Sequence, residues 1–334
     1  MQIKKFIINA LIFFLLNACI MGGLLSFFSG RQRHIRLKNW ETESNLLVMG
    51  ENEHYDVAIL GTSRGRIFSR DANHQLMEGI LGKKVINLSK GGGGGLMPAE
   101  LHLSNFYDRG NTVEHIIYLI DPWVFFCAIN NENNNFFLRD EPFELSILWK
   151  LIARRYPPDR IFSYLQMIAK DDWENFTRYS APGLSELTLT AINPRKQEEA
   201  RKHYLSLYEA DRFERYSRYL HVINALAKAN NSRITYIMLP ILMDDFPGAK
   251  EVDEKLKAVS REDRVAYYNF VASVRDIRYF YDHMHFNKIG IAHFTQAYLK
   301  PILEEKLPLS RHLTSSSSAI GGAGSGHEIF AVMR

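Results

Sequence analysis

The chain has 334 residues, 46% of them hydrophobic and 23% charged, enough apolar content for a sizeable core, which excludes global disorder. Its 41 Lys and Arg against 37 Asp and Glu leave a formal charge of +4, a near-balanced surface that excludes the concentrated basic footprint of a dedicated nucleic-acid binder. Two cysteines, Cys19 and Cys127, without CxxC spacing cannot build a thiolate zinc site or a disulfide framework.

Residues 6–28, FIINALIFFLLNACIMGGLLSFF, hold no charge over 23 positions. At about 1.5 Å per residue, a helix of that length crosses a hydrocarbon core of roughly 30 Å. The segment reads as a membrane anchor or a signal, with a loosely lipoprotein-like string, LNAC, around Cys19. Lys4 and Lys5 on one side balance Arg31, Arg33, Arg36 and Lys38 on the other, so the flanks do not set an orientation. The expected topology is a cytoplasmic stub at 1–5, an anchor at 6–28, a basic juxtamembrane linker at 29–54, and everything after residue 30 outside.

Five runs rich in β-branched and aromatic residues then read as strands: YDVAILG (55–61), KKVINLS (83–89), HIIYLID (115–121), RITYIMLP (233–240) and DIRYFYD (276–282). Helix-length connections between strands apolar on both faces predict an α/β domain over 55–305, a parallel sheet covered by helices. The long gap between the third and fourth runs predicts a helical insertion at 123–230. Within it, FELSILWKLIARRY and PDRIFSYLQMIA have helical spacing, and 195–229 is a long charged amphipathic stretch. The aromatics of that stretch, Tyr204, Tyr208, Phe213, Tyr216 and Tyr219, read as a core-facing stripe, with a membrane-lying helix as the rival. NNENNNFF (130–137) is expected to be an exposed loop, and the Ser- and Gly-rich tail within 306–334 to be disordered.

Chemistry in such a sheet gathers at the carboxyl ends of strands. The first run ends in GTSRGR, placing Ser63 on the turn, as a helix cap or as a nucleophile. The second ends in NLSKGGGGG; its glycines, Gly91 to Gly95, are either a flexible linker or a backbone that can approach an oxyanion. In the second case only one or two face the site, and alanine at Gly95 is expected to be nearly silent. The last run ends in DHMHFNKIG, where Asp282 can orient the His285 imidazole three residues on, just before a helix capped by Asn287. A rival reading makes Asp282, His283, His285 and His293 metal ligands, but the spacing is not that of a one-face helical pair.

In this order the motifs resemble those of the SGNH (GDSL-type) hydrolases, specifically a membrane-anchored bacterial branch whose relatives act in acylation of cell-surface polysaccharides. The resemblance covers 55–122 and 233 to about 304. It implies a three-layer α/β/α fold, Ser63 as nucleophile, Asp282 as orienter and His285 as base. The oxyanion hole would be formed by the amides of Ser63 and Gly92. Three positions depart from the family pattern: Thr62 and Arg64 replace the usual Asp and Leu, and the third strand ends IDPW, with Asp121 where an asparagine donor is usual. A carboxylate does not donate unless protonated, so Asn130 or another group from the insertion would have to substitute. The implied activity is that of an esterase or O-acyltransferase on acylated cell-envelope carbohydrate or another small ester, in the bacterial inner membrane, without cofactor or metal. The alternative is an inactive assembly or binding protein that keeps the fold and contacts other envelope proteins.

Overall fold

The computed structural model describes residues 2–31, 35–134, 138–170, 178 and 183–307. The low-complexity tail from residue 308 onward lies outside these residues. The apolar N-terminal run forms helix α1 (Gln2–Arg31), long and apolar enough to cross a membrane, with none of its most apolar window buried in the protein.

Four of the five expected strands form: β1 (His54–Gly61), β2 (Val85–Asn87), β3 (Thr112–Ile120) and β4 (Arg233–Met238). The fifth expectation is corrected. Residues 276–282 are not a strand, because the Asp276 carboxylate caps a tight turn at Ile277–Tyr279 and Phe280 only bridges Phe286. The fifth strand is instead β5 (Val265–Asn269), a five-residue run directly behind the charged string at 261–264. All pairings are parallel, in the order β2-β1-β3-β4-β5. The chain therefore reverses direction across the sheet between β1 and β3, the switch point where doubly wound sheets leave a crevice at the strands' carboxyl ends.

Alternation along each strand feeds two cores. On β3, Ile116, Tyr118 and Ile120 face one cluster, and Ile117 and Leu119 face the other. Helices α5 (Leu96–Asp108), α6 (Leu145–Ala153), α9 (Phe213–Ala229) and α10 (Ala249–Val259) cover the first face. Helices α4 (Asn73–Leu81), α11 (Lys288–Phe294) and α12 (Lys300–Leu303) cover the second. Two short helices, α2 (Asn45–Val48) and α3 (Ser63–Arg66), flank β1. Helix α7 (Pro158–Leu165) packs on α6, and α8 (Pro194–Ser206) precedes α9.

The insertion is shorter than its expected 123–230. Helix α9 buries Tyr216, Leu220 and Ile223 against the sheet and α5, so it is the ordinary crossover from β3 to β4. The amphipathic stretch 195–229 is also two helices rather than one. It bends around Phe126, whose ring stacks on Tyr208 at 4.2 Å and on Phe213 at 5.0 Å, and whose carbonyl accepts the Glu209 N–H. This aromatic stripe packs inward.

The segment expected as a linker at 29–54 is largely built into the domain. The Asn39 carboxamide donates to the Asn87 carbonyl at 2.8 Å and accepts the Asn87 N–H at 3.1 Å. Glu141, fully buried, accepts from Ser44 Oγ and from the Asn45 and Leu46 amides at 2.6–2.9 Å, and from Lys90 Nζ at 3.0 Å. Burial alone would raise this carboxyl, but the Lys90 charge and these donors outweigh it and hold it at about 2. A folded-state pKa below the ordinary 4.5 means a contribution to stability that is complete above about pH 4.5 and lost as the pH falls toward 2. Denaturant titrations at stepped pH should therefore show a steep loss of stability in that window for the native chain and a shallower one for Glu141→Gln. Equal slopes would remove Glu141 from the acid transition.

Candidate active site

Strand β1 delivers the chain to Gly61 at φ +153°, where a Cβ would lie 2.8 Å from the Leu119 carbonyl oxygen. Only glycine passes there without displacing β3. The cap of α3 is Thr62, whose hydroxyl accepts the Arg64 N–H at 3.4 Å. Ser63 is thus not the cap, and its Oγ lies 2.9 Å from His285 Nε2.

On the other side of the crevice, the Asp282 carboxylate accepts the backbone N–H groups of Met284 (2.8 Å) and His285 (2.7 Å). Those bonds close the loop over three residues and set the imidazole beside the same carboxylate, with His285 Nδ1 donating to Oδ2 at 2.9 Å. The network assigns the proton to Nδ1, leaving Nε2 to accept from Ser63. Burial pushes the Asp282 carboxyl upward, but the His285 hydrogen bond and charge and the two amides together hold it below the ordinary carboxylate value. Tyr281 stacks on the imidazole at 5.3 Å and limits its rotation. Asn287 caps α11 as expected, its side chain accepting the Gly290 N–H at 2.9 Å. The residues of the rival metal reading point apart: His283 Nε2 accepts the Asn193 N–H at 3.2 Å, and His293 stacks flat on Tyr279 at 4.5 Å.

The three departures from the family pattern meet in one buried cluster. Asp121, at the exit of β3, accepts from Arg64 Nη1 at 2.6 Å and from the Thr62 hydroxyl in a short contact. Arg64 also donates from Nε to the Met284 carbonyl at 3.0 Å and from Nη2 to the Pro240 carbonyl. One guanidinium thereby ties the serine turn, the β3 exit, the β4 exit and the histidine loop together. Both partners are almost fully buried, at 4% and 1% exposure, so the charges are shielded from screening and the pair is a rigid strut. Separately in sequence these residues look like decay of two motifs, whereas in space each completes the others.

The glycine run is packed rather than free. Lys90 N–H donates to the Gly61 carbonyl at 2.9 Å, and Asn87 bonds the Gly65 carbonyl at 3.0 Å, pinning the exit of β2 to the serine turn. Gly92 lies exposed on the turn at φ +70°, a conformation that favours glycine. Gly94 and Gly95 are buried, and a Cβ would lie 2.2 Å from the Gly61 carbonyl oxygen at the first and 2.1 Å from the Asn130 carbonyl oxygen at the second. The expectation that Gly95 tolerates alanine is therefore corrected. Gly95→Ala is expected to cost about 1–3 kcal/mol by overpacking against main chain, read as a lowered thermal midpoint. An unchanged midpoint would show that the loop is loose.

Asn130 is buried and joins the glycine run through its main chain, its carbonyl accepting the Gly95 N–H at 2.9 Å. The expectation of an exposed loop is corrected for most of its described part, 130–134, in which only Asn133 is exposed, while 135–137 lie outside the described residues: Asn131 is buried and bonds the Met97 N–H and the Val124 and Cys127 carbonyls. Asn134, also buried, sets its carboxamide against Gly93, where a Cβ would lie 2.3 Å from Nδ2. A polar tract is poor evidence of exposure when its side chains can serve as hydrogen-bond partners for neighbouring main chain.

Sequence reasoning did not find the wall beside His285. Met284, Ile241, Met243 and Phe246 form a separate apolar cluster with Trp123 and Tyr204 packed against it. The Trp123 indole N–H is buried without a hydrogen-bond partner among the described residues. Its only sequence signal was an aromatic directly after the β3 exit. Elsewhere, His54, Asp56 and Glu114 bring one ligand atom each within 4.8 Å of one another, a spacing that could hold a metal ion. They lie on the amino-terminal parts of β1 and β3, the far end of the sheet from Ser63. In comparisons with known proteins, no family model matches this sequence and no curated protein matches it.

Proposed function

We propose that the protein is a membrane-anchored serine esterase or O-acyltransferase of three-layer SGNH-like architecture, working through an acyl ester on Ser63. The observation that carries this reading is the continuous hydrogen-bonded path from Ser63 Oγ through His285 to Asp282, at the carboxyl ends of the strands. In the first half-reaction Ser63 Oγ attacks the ester carbonyl while its proton passes to His285 Nε2, and Asp282 holds Nδ1 and stabilises the imidazolium. The C–O bond to the leaving alcohol then breaks, and His285 returns the proton to that alcohol. Water or a carbohydrate hydroxyl, deprotonated by His285, releases the acyl group in the second half. Amides of Ser63 and Gly92 are the proposed oxyanion donors. The proposed substrate is an acylated cell-envelope carbohydrate or other small ester, with α1 in the bacterial inner membrane and the domain outside.

A fluorophosphonate probe tests the first half-reaction directly. The expected result is a stable adduct mapped to Ser63 by mass spectrometry and absent in Ser63→Ala. A folded native chain that takes no adduct would overturn the reading in favour of a non-catalytic envelope assembly or binding protein. One observation favours that second reading: Asp121 is committed to Arg64 and Thr62 and offers no donor at the β3 exit.

A further inference from the structure

We infer that the exposed apolar face of α6 and α7 rests in the interfacial layer of the same bilayer that α1 crosses. The inference depends on the reading of α1 as a membrane span. Three large apolar side chains stand exposed on this packed pair, Trp149 at 61% and Ile152 at 45% on α6 and Phe162 at 64% on α7. Burying an aromatic of that size in water-free surroundings is favourable, so such a face on one pair of packed helices needs a cover. The structure says what lies beside it. The end of α1 is docked on the domain at the start of α6: Ser29 Oγ accepts the Leu145 N–H at 3.1 Å, and Leu25 and Phe28 pack against the main core.

That contact fixes depth. The apolar run of α1 ends at Phe28, with the first charge three residues on at Arg31, so in a bilayer Ser29 sits at the edge of the hydrocarbon core. Leu145 is therefore at headgroup level, and Trp149 lies one helical turn further, about 6 Å along α6. The interfacial layer is roughly 5–8 Å thick on each side. Leu145, Trp149 and Ile152 share one stripe of α6 by their i, i+4, i+7 spacing, and the exposed Arg155 follows at the helix end. An aromatic belt with a cation beside it matches the chemistry of the lipid headgroup boundary, where indole and guanidinium groups are both favoured. The amphipathic stretch that sequence offered as a membrane helix, 195–229, turns its aromatics inward, and the lipid-facing role passes to α6 and α7.

The test uses the full chain in lipid nanodiscs of phosphatidylethanolamine and phosphatidylglycerol. Tryptophan emission of the native chain minus that of Trp149→Phe isolates Trp149. The expected result is a blue-shifted Trp149 signal, quenched by lipids carrying a doxyl group near the headgroup and no longer quenched by aqueous acrylamide. Phe162→Cys labelled with an environment-sensitive dye should report the same shift, which guards against a folding defect in either variant. Carbonate extraction of membranes carrying the full chain reports separately on α1. Resistance to extraction with Trp149 still open to acrylamide overturns this inference and leaves the anchor intact. Extraction of the chain by carbonate overturns the anchor and the inference together. Protection of Trp149 in native membranes but not in pure-lipid nanodiscs would assign the face to a protein partner and also overturn it.

Discussion

Replacing His285 with alanine is expected to slow acylation of Ser63 by about 10²–10⁴-fold, the usual contribution of a general base. Its Nε2 lies 2.9 Å from Ser63 Oγ, and nothing else described at the serine is placed to take that proton. His283→Ala is expected to leave the acylation rate within about twofold, since its ring accepts a main-chain N–H from Asn193 and stands outside the path. Loss of that buried acceptor should cost about 1 kcal/mol of stability. The two variants therefore separate along different axes: rate for His285, thermal midpoint for His283. Burst kinetics with a chromogenic acyl ester, run beside thermal melts, measure both. A larger rate loss at His283 than at His285 would move the base by two residues and break the proposed path.

Asp121→Asn is expected to destabilise the fold by about 3–5 kcal/mol without raising the acylation rate. Asparagine is what the family pattern would place at the β3 exit, so the naive expectation is a gain of an oxyanion donor. The geometry argues otherwise, because the substitution removes the counter-charge from an Arg64 that is only 4% exposed and leaves the Thr62 hydroxyl with a weaker acceptor. Released from Asp121, Arg64 would no longer hold the serine turn against the histidine loop, and acylation should fall. A double-mutant cycle with Arg64→Leu, which removes the guanidinium, should show strong coupling between the two sites. Denaturant unfolding and probe labelling give the two readouts. An Asp121→Asn chain of native stability with faster labelling would mean that the strut is dispensable.

The α/β class, the parallel sheet, four of its strands and the N-terminal apolar helix were legible because they rest on local composition. A both-faces-apolar run bounded by turns reads as a buried parallel strand wherever it occurs. Ser63, Asp282 and His285 were legible as positions because strand ends and a three-residue DxxH spacing are local features too. Strand five was misplaced for the same reason: DIRYFYD is a longer aromatic run than VAYYN, and the Asp276 cap and the packing of α11 decide against it.

What sequence by itself determined is thus the set of elements and the residue types that leave the strands on the sheet's working edge. Tertiary structure alone decided the rest, because the decisive contacts join residues far apart in the chain. Ser63 and His285 are 222 positions apart, and Arg64 and Met284 are 220 apart. The compensation among Thr62, Arg64 and Asp121, the packing of Gly95 on the Asn130 carbonyl, and the recruitment of residues 39–46 by Glu141 and Asn87 share that character. Each is a hydrogen bond or ion pair whose strength depends on burial, and burial is a property of the assembled fold rather than of any window of sequence.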